Sequence, residues 1–285
     1  GGYLFPGELI GLALFPYIIV TLIVASRLRR ASQPNLASYT EGVALILGSV
    51  LALFSLFNPL VRSLYLLAST LTLIIVLRQR PTRAAWLIYL THVTGILTLY
   101  AWISWGFPNF DTRFWAVSLL IGMVAEWGCS LAIAHLIWQR SAWYIGLVLA
   151  GLSYPLLIAS NLYWGLIWLV TPACLTFLGS RTIPQARLAS WLSVVALLLA
   201  QILTEARVTP LLISTAVATS LMLFNTQKLR SQLAAAITIG FGLSFAGTCL
   251  WQIWGVPLNW LPTWIGVALW GLWMLRRFLS TGIYT

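Results

Sequence analysis

Eleven long apolar runs fill the chain, and short polar or basic segments separate them. Each run approaches the roughly 20 apolar residues that a helix needs to cross the hydrocarbon core of a membrane. The runs are continuous rather than alternating, and a helix satisfies its backbone hydrogen bonds within one segment. The pattern therefore predicts an all-α, polytopic transmembrane helix bundle. The predicted helices lie at 7–26, 40–57, 59–77, 84–105, 114–138, 142–160, 162–178, 188–205, 208–224, 231–252 and 258–278.

The second half of the chain repeats features of the first half in the same order. The motif Trp-x-x-Trp-Gly-x-Pro occurs at 102–108 and again at 251–257, and Leu-Ala-Ser followed by an aromatic residue occurs at 36–39 and 188–191. Ordered matches of this kind indicate a parallel internal duplication, here of helices 1–5 in helices 7–11. The predicted organisation is a first transmembrane repeat at 1–141, a linking transmembrane helix at 142–161 and a second repeat at 162–285.

Composition supports the membrane assignment. Hydrophobic residues make up 60% of the chain and charged residues only 7%, whereas soluble domains carry about 25% charged residues. The 16 basic residues outnumber the five acidic ones. They lie in short loops between apolar runs, so they indicate membrane topology rather than nucleic-acid binding. The lipid bilayer is the expected partner, and other membrane subunits are further partners if the chain belongs to a complex.

The basic residues also predict an orientation. Most of them fall in the loops that follow odd-numbered predicted helices, and only Arg62, Arg113 and Arg207 fall on the other side. Basic residues concentrate in the cytoplasmic loops of membrane proteins. We therefore predict that the start of the chain lies outside and that Thr285 lies on the cytoplasmic or stromal side.

Glu126 and His92 are the ionisable residues that this topology places deepest in the membrane. Glu126 lies at the centre of the run 114–138, and His92 lies near the centre of the run before it. The two residues are nearly equidistant from the loop at 106–113, so a helical hairpin holds them at equal depth. An ionisable group at this depth is costly and marks a candidate functional site. We expect a hydrogen bond between them, which either exchanges protons or clamps the two helices together.

His135, Pro16 and Pro172 are further candidates for a substrate or proton site. The sequence places His135 near the cytoplasmic end of the helix 114–138, where it either ligates a group or lies at the interface. It places Pro16 and Pro172 at mid-helix in corresponding positions of the two repeats. Such prolines kink or break a helix, and paired interruptions point to a transporter site between repeats. The alternative is that the kinks serve packing alone.

Several enzyme classes are excluded by residue type. The sequence has no His-Glu-x-x-His zinc motif and no Walker nucleotide loop. Its only aspartate, Asp111, lies in a predicted loop, so it has no pair of intramembrane aspartates. The three cysteines lie inside apolar runs, where cysteine usually serves packing. No metal is implied and the cofactor is left open, with none strongly implied, and an enzyme is less expected than a non-enzymatic membrane protein.

Two functions fit these features. The duplication, the paired prolines and the residues Glu126 and His92 favour a secondary-transporter-like protein with a proton- or cation-coupled site. The scarcity of other polar groups favours instead a non-catalytic structural, assembly or accessory subunit of a larger membrane protein complex. A cavity lined by Glu126 would support the first function, and a dry, tightly packed core would support the second.

Overall fold

The computed structural model describes residues 7–79, 84–160, 166–181, 183–204 and 208–281. Within these ranges the chain forms eleven α-helices and three short 3-10 helices and has no strand, which confirms the all-α prediction. The α-helices are α1 Ile10–Arg30, α2 Pro34–Ser55, α3 Pro59–Gln79, α4 Ala85–Gly106, α5 Thr112–Ala132, α6 Leu136–Ala159, α7 Val170–Ser180, α8 Ala186–Thr204, α9 Val208–Leu229, α10 Gln232–Gln252 and α11 Leu261–Thr281. The 3-10 helices are Gly7–Leu9, Ile167–Leu169 and Leu258–Trp260.

Eight helices of the described chain are long and apolar enough to cross a membrane: α1 to α6, α8 and α10. They contain 19 to 24 residues each, and about 20 residues at a rise of about 1.5 Å match the hydrocarbon thickness. The chain is therefore built as a multi-pass membrane protein. Its orientation stays a prediction.

Helix α7 is shorter than the run at 162–178 predicted, with 11 residues from Val170 to Ser180. Pro172 is its third residue, and α7 follows the 3-10 turn Ile167–Leu169 directly, so Pro172 lies where that turn passes into the α-helix. The prediction that Pro172 interrupts the middle of a helix therefore stays a prediction. Pro16 does lie inside its helix, α1. The two prolines thus occupy different positions in their helices.

The turn between α5 and α6 comes earlier than predicted. Helix α5 ends at Ala132, and residues 133–135 connect it to α6. The prediction that His135 lies inside the preceding helix is therefore wrong. The polar residues Gln139 and Arg140 belong to α6 instead of a loop, and the backbone N–H of Gln139 donates to the carbonyl of His135 at 3.0 Å. Long polar side chains near a helix end can reach the interface without ending the helix.

The first compact unit is Gly1–Ala159 and contains α1 to α6. Its helices pack mainly as the sequential pairs α1–α2, α3–α4 and α5–α6, and α6 also packs against α4. One apolar cluster joins α1, α2 and α3, and a second joins α3 and α4. The helix that the sequence predicts as a link between repeats is α6, and it packs within this unit.

The second compact unit is Ser160–Thr285 and contains α7 to α11. In it α8 packs against α7 and α9, and α9 packs against α7 and α10. Within the first unit, α1, α2, α3 and α4 make the same sequence of pairings. A shared pairing order is compatible with a duplication but does not establish one, so the duplication stays a prediction.

Candidate functional site

Helices α4 and α5 are joined by the segment 107–111 and carry the two central ionisable residues at the same level, and α6 packs against both helices. The carboxylate of Asp111 caps α5 and accepts hydrogen bonds from the backbone N–H groups of Arg113 at 2.9 Å and Phe114 at 3.1 Å. Aspartate is a favoured residue at this position, because its oxygen satisfies N–H groups that lack helical partners. Glu126 lies 14 residues after the start of α5, and His92 lies 14 residues before the end of α4.

The side chains of His92 and Glu126 contact each other, which confirms the predicted proximity. The ring Nε2 of His92 lies 3.3 Å from Oε1 of Glu126 with hydrogen-bond geometry. The second carboxylate oxygen, Oε2, is nearer at 3.1 Å but is held at an angle that gives only an ion-pair contact. This buried Oε2 has no hydrogen-bond partner among the described residues. Among the described residues, Oε2 is thus held by the ion-pair contact with His92 alone.

Ser141 of α6 is the third member of this site. Its Oγ lies 2.9 Å from the Nδ1 of His92, and Ser141 is completely buried. The sequence analysis missed this residue because it placed a loop at 139–141. The earlier turn at 133–135 brings Ser141 into α6, which packs against both α4 and α5. We call His92, Glu126 and Ser141 the His–Glu–Ser cluster.

The cluster can exist in more than one protonation state. A neutral His92 donates from Nε2 to Glu126 and accepts from the Ser141 hydroxyl at Nδ1. A protonated His92 donates from both ring nitrogens, so Ser141 must then act as the acceptor. The serine hydroxyl can rotate to serve in either role. The three side chains therefore accommodate a proton on His92 without leaving a ring nitrogen unpaired.

Tight packing holds the helices that carry the cluster. Glu126 is only 6% exposed. The indole of its neighbour Trp127 lies directly over Gly146 of α6, where an added Cβ would overlap the ring. The same indole donates from Nε1 to the carbonyl of Trp143 at 3.3 Å. Gly146 is therefore needed for the close approach of α5 and α6.

The other predicted site residues do not join the cluster through any contact that we find in the described chain. His135 lies in the turn before α6, and its Nδ1 is buried without a hydrogen-bond partner among the described residues. Pro16 is exposed on α1, while its neighbour Phe15 faces the core. The carbonyl of Pro172 accepts a hydrogen bond from Ser193 at 2.9 Å. Their roles at a substrate or proton site stay predictions.

A second polar cluster, in the second unit, was missed by the sequence analysis. The amide Nδ2 of Asn225 on α9 donates to the hydroxyl oxygens of Thr176 on α7 and Ser193 on α8, at 3.0 Å each. The two hydroxyls are 2.7 Å apart. Asn225 is 1% exposed. We call these residues the Asn–Thr–Ser cluster. The sequence analysis missed it because the positions of short polar residues within apolar runs do not indicate which of them contact each other.

The cluster in the first unit is separated from the cavities described there. One cavity among α1 to α4 is lined on α4 by Leu87, Leu90, Thr94 and Leu97, which share one helix face. His92 lies on the opposite face of α4 by helical spacing. Neither His92 nor Glu126 lines this cavity or the one beside it.

Comparison of the chain with protein-family models, with curated proteins and with solved structures gives no match in any of the three. Among the described residues, no group of three or more His, Cys, Asp or Glu side chains could hold a metal ion. Functional inference therefore depends on the geometry of the His–Glu–Ser cluster.

Proposed function

We propose that this chain is a secondary-transporter-like membrane protein in which the His–Glu–Ser cluster binds a proton or a small cation. The observation that carries the proposal is the buried Oε2 of Glu126, which has no hydrogen-bond partner among the described residues. Buried polar atoms without partners are rare in native structures. A carboxylate oxygen in this position is suited to accept a proton, a water molecule or a cation.

The charge balance of the cluster gives a reason why proton binding would be coupled to a conformational change. With one shared proton the His92–Glu126 pair is neutral overall, either as an ion pair or as two uncharged groups. Loss of that proton leaves a net negative charge in a low-dielectric environment, which is strongly unfavourable. The deprotonated state needs water or a cation beside Glu126. Proton release is thereby linked to a rearrangement that opens the cluster.

The substitution Glu126→Gln tests this function. It removes the ionisable carboxylate while keeping its size, and the Gln side chain can still bond His92. Proton movement is measured with a pH-sensitive dye trapped in vesicles that contain the purified chain, driven by gradients of alkali cations, amino acids or sugars. We expect coupled proton movement in the parent chain and its loss in Glu126→Gln, at unchanged abundance in the membrane.

Asp111→Asn is the matched control for this experiment. It removes the same charge from an exposed carboxylate, and asparagine still caps a helix. Proton movement should be retained in this variant. If the parent chain moves protons and Glu126→Gln moves them at the same rate, Glu126 is excluded from the coupling mechanism.

The second candidate function is a structural, assembly or accessory subunit of a membrane complex. Two observations favour it: the His–Glu–Ser cluster joins three packed helices, and it lines neither described cavity of its unit. In this case the cluster is an interhelical clamp. Absence of proton movement with every gradient, together with subunits that co-purify in stoichiometric amounts, would establish this alternative over transport.

A further inference from the structure

A cavity of about 370 Å³ lies among α1, α2, α3 and α4 of the first unit. Its walls are mostly aliphatic and aromatic, and Glu41 is its one acidic residue. Exposed lining residues on α2 and α4, namely Ser49, Trp86 and Leu97, place an opening between these helices. An apolar cavity that opens between membrane-length helices can receive a hydrocarbon chain directly from the bilayer. We call it the α1–α4 cavity.

Glu41 does not give this cavity a net negative charge. Its Oε1 lies 2.6 Å from Nη2 of Arg29 in the basic last turn of α1. The pair is more buried than a surface pair, since Glu41 is only 8% exposed. Arg29 is thereby neutralised. The other two arginines in the last turn of α1, Arg27 and Arg30, are outside this ion pair.

Two of those arginines line a second, adjoining cavity between α1 and α3. This cavity measures about 290 Å³, and its lining includes Ser26, Arg27 and Arg30 but no acidic residue of the described chain. It shares Leu22, Thr72 and Val76 with the α1–α4 cavity, so the two spaces lie side by side. We call it the arginine groove. Both arginines lie in the last turn of α1, where a membrane-length helix reaches the headgroup region.

We propose that the α1–α4 cavity and the arginine groove together form a binding site for an anionic phospholipid. An acyl chain fills the apolar cavity, and the phosphate lies in the groove between Arg27 and Arg30. Guanidinium groups bind phosphate oxygens with paired, charge-assisted hydrogen bonds. Basic pockets between membrane helices recognise lipid headgroups by the same chemistry. The proposal is independent of the proposed function, because His92 lies on the other face of α4.

The charge component is tested by native mass spectrometry of the purified full chain in detergent. The protein is mixed with equal amounts of dioleoyl-phosphatidylglycerol and dioleoyl-phosphatidylcholine, and the bound lipids are counted. We expect the parent chain to prefer the anionic lipid. The double substitution Arg27→Gln and Arg30→Gln should lower that preference at least about tenfold, since each basic side chain near the headgroups contributes to the attraction.

The matched control removes two charges from the second unit, through Arg187→Gln and Lys228→Gln. Both residues are exposed near helix ends and line neither cavity. The control should keep the preference for phosphatidylglycerol. An equal loss in both double variants, or no preference in the parent chain, would overturn the proposal.

The acyl-chain component is tested by filling the cavity. A Cβ added at Gly48 meets Ile18 and Tyr65 at ordinary contact distances of 3.6 and 3.9 Å, so Gly48→Leu can fit and extend into the cavity. Gly42→Leu on the same helix meets nothing within 4 Å and is the control. We expect several-fold less bound lipid in Gly48→Leu than in the parent chain, and no loss in Gly42→Leu.

A competition experiment separates a lipid site from a phosphate site. Glycerol phosphate that displaces the lipid at equal concentration would show instead a site for free phosphate and would refute the lipid assignment.

Discussion

Both polar clusters join three helices through buried side chains, but the two clusters contain different functional groups. Each joins three helices of one unit through buried side chains: α4, α5 and α6 through the His–Glu–Ser cluster, and α7, α8 and α9 through the Asn–Thr–Ser cluster. The second cluster consists of an amide and two hydroxyls and stays neutral at any physiological pH. The first contains a carboxylate and an imidazole, and it can change its charge. Only the first cluster therefore suggests a function beyond packing.

The difference lies in how completely the polar atoms are paired. In the Asn–Thr–Ser cluster, the amide donates to both hydroxyls, and Ser193 donates in turn to the carbonyl of Pro172. In the His–Glu–Ser cluster, Glu126 keeps one oxygen without a hydrogen-bond partner among the described residues. A closed network favours a single arrangement, whereas a network with a spare acceptor can take up a ligand. Substitutions in the two clusters should therefore differ in size and kind.

The largest effect is expected for His92→Leu, which removes the partner of a buried carboxylate. Breaking a buried pair from one side costs about 3–5 kcal/mol, because the remaining group is left unpaired. The double variant His92→Leu and Glu126→Leu should recover more than half of this loss. Detergent-induced unfolding followed by tryptophan fluorescence measures both. If the double variant were as unstable as the single one, an unpaired carboxylate could not be the cause.

A smaller effect is expected for Asn225→Leu in the neutral cluster. Loss of the amide leaves two hydroxyls that still bond each other, so the cost should be about 1–2 kcal/mol. The control is Gln227→Leu, an exposed position on the same helix, with a change of at most about 0.5 kcal/mol. The same unfolding measurement compares the two. An Asn225→Leu loss equal to that of His92→Leu would remove the distinction between the clusters.

The smallest effect is expected for Ser141→Ala, which should cost about 0.5–1.5 kcal/mol. The substitution leaves the His92–Glu126 contact in place but removes the partner of Nδ1. Nitrogen NMR of labelled histidine should then show a changed tautomer or protonation equilibrium of His92. Ser130→Ala is the control, since the hydroxyl of this buried serine donates to the carbonyl of Trp127 on its own helix. An unchanged His92 spectrum would show that Ser141 does not set the protonation state of the ring.

Much of the local structure followed from the sequence. The apolar runs predicted the eleven α-helices of the described chain, although α6 begins before Gln139 and Arg140 and α7 is shorter than its run. The equal depth of His92 and Glu126 also followed, because distance from a hairpin turn fixes depth. Ser141 and Asn225 could not be found in this way. Serine is a common packing residue in membrane helices and asparagine can bond across helices, but nothing in the spacing of Ser141 or Asn225 indicates which neighbours they face.

The sequence by itself determined that the chain forms membrane-length helices and that two ionisable groups lie at the same level in a hairpin. Hydrocarbon thickness and internal hydrogen bonding impose these features on any sufficiently long apolar run. Tertiary structure decided the rotation of each helix about its axis. That rotation turned His92 toward Ser141 and away from the α1–α4 cavity, and it joined Asn225 to α7 and α8. Helix rotation depends on packing between residues distant in sequence, so no local pattern specifies it.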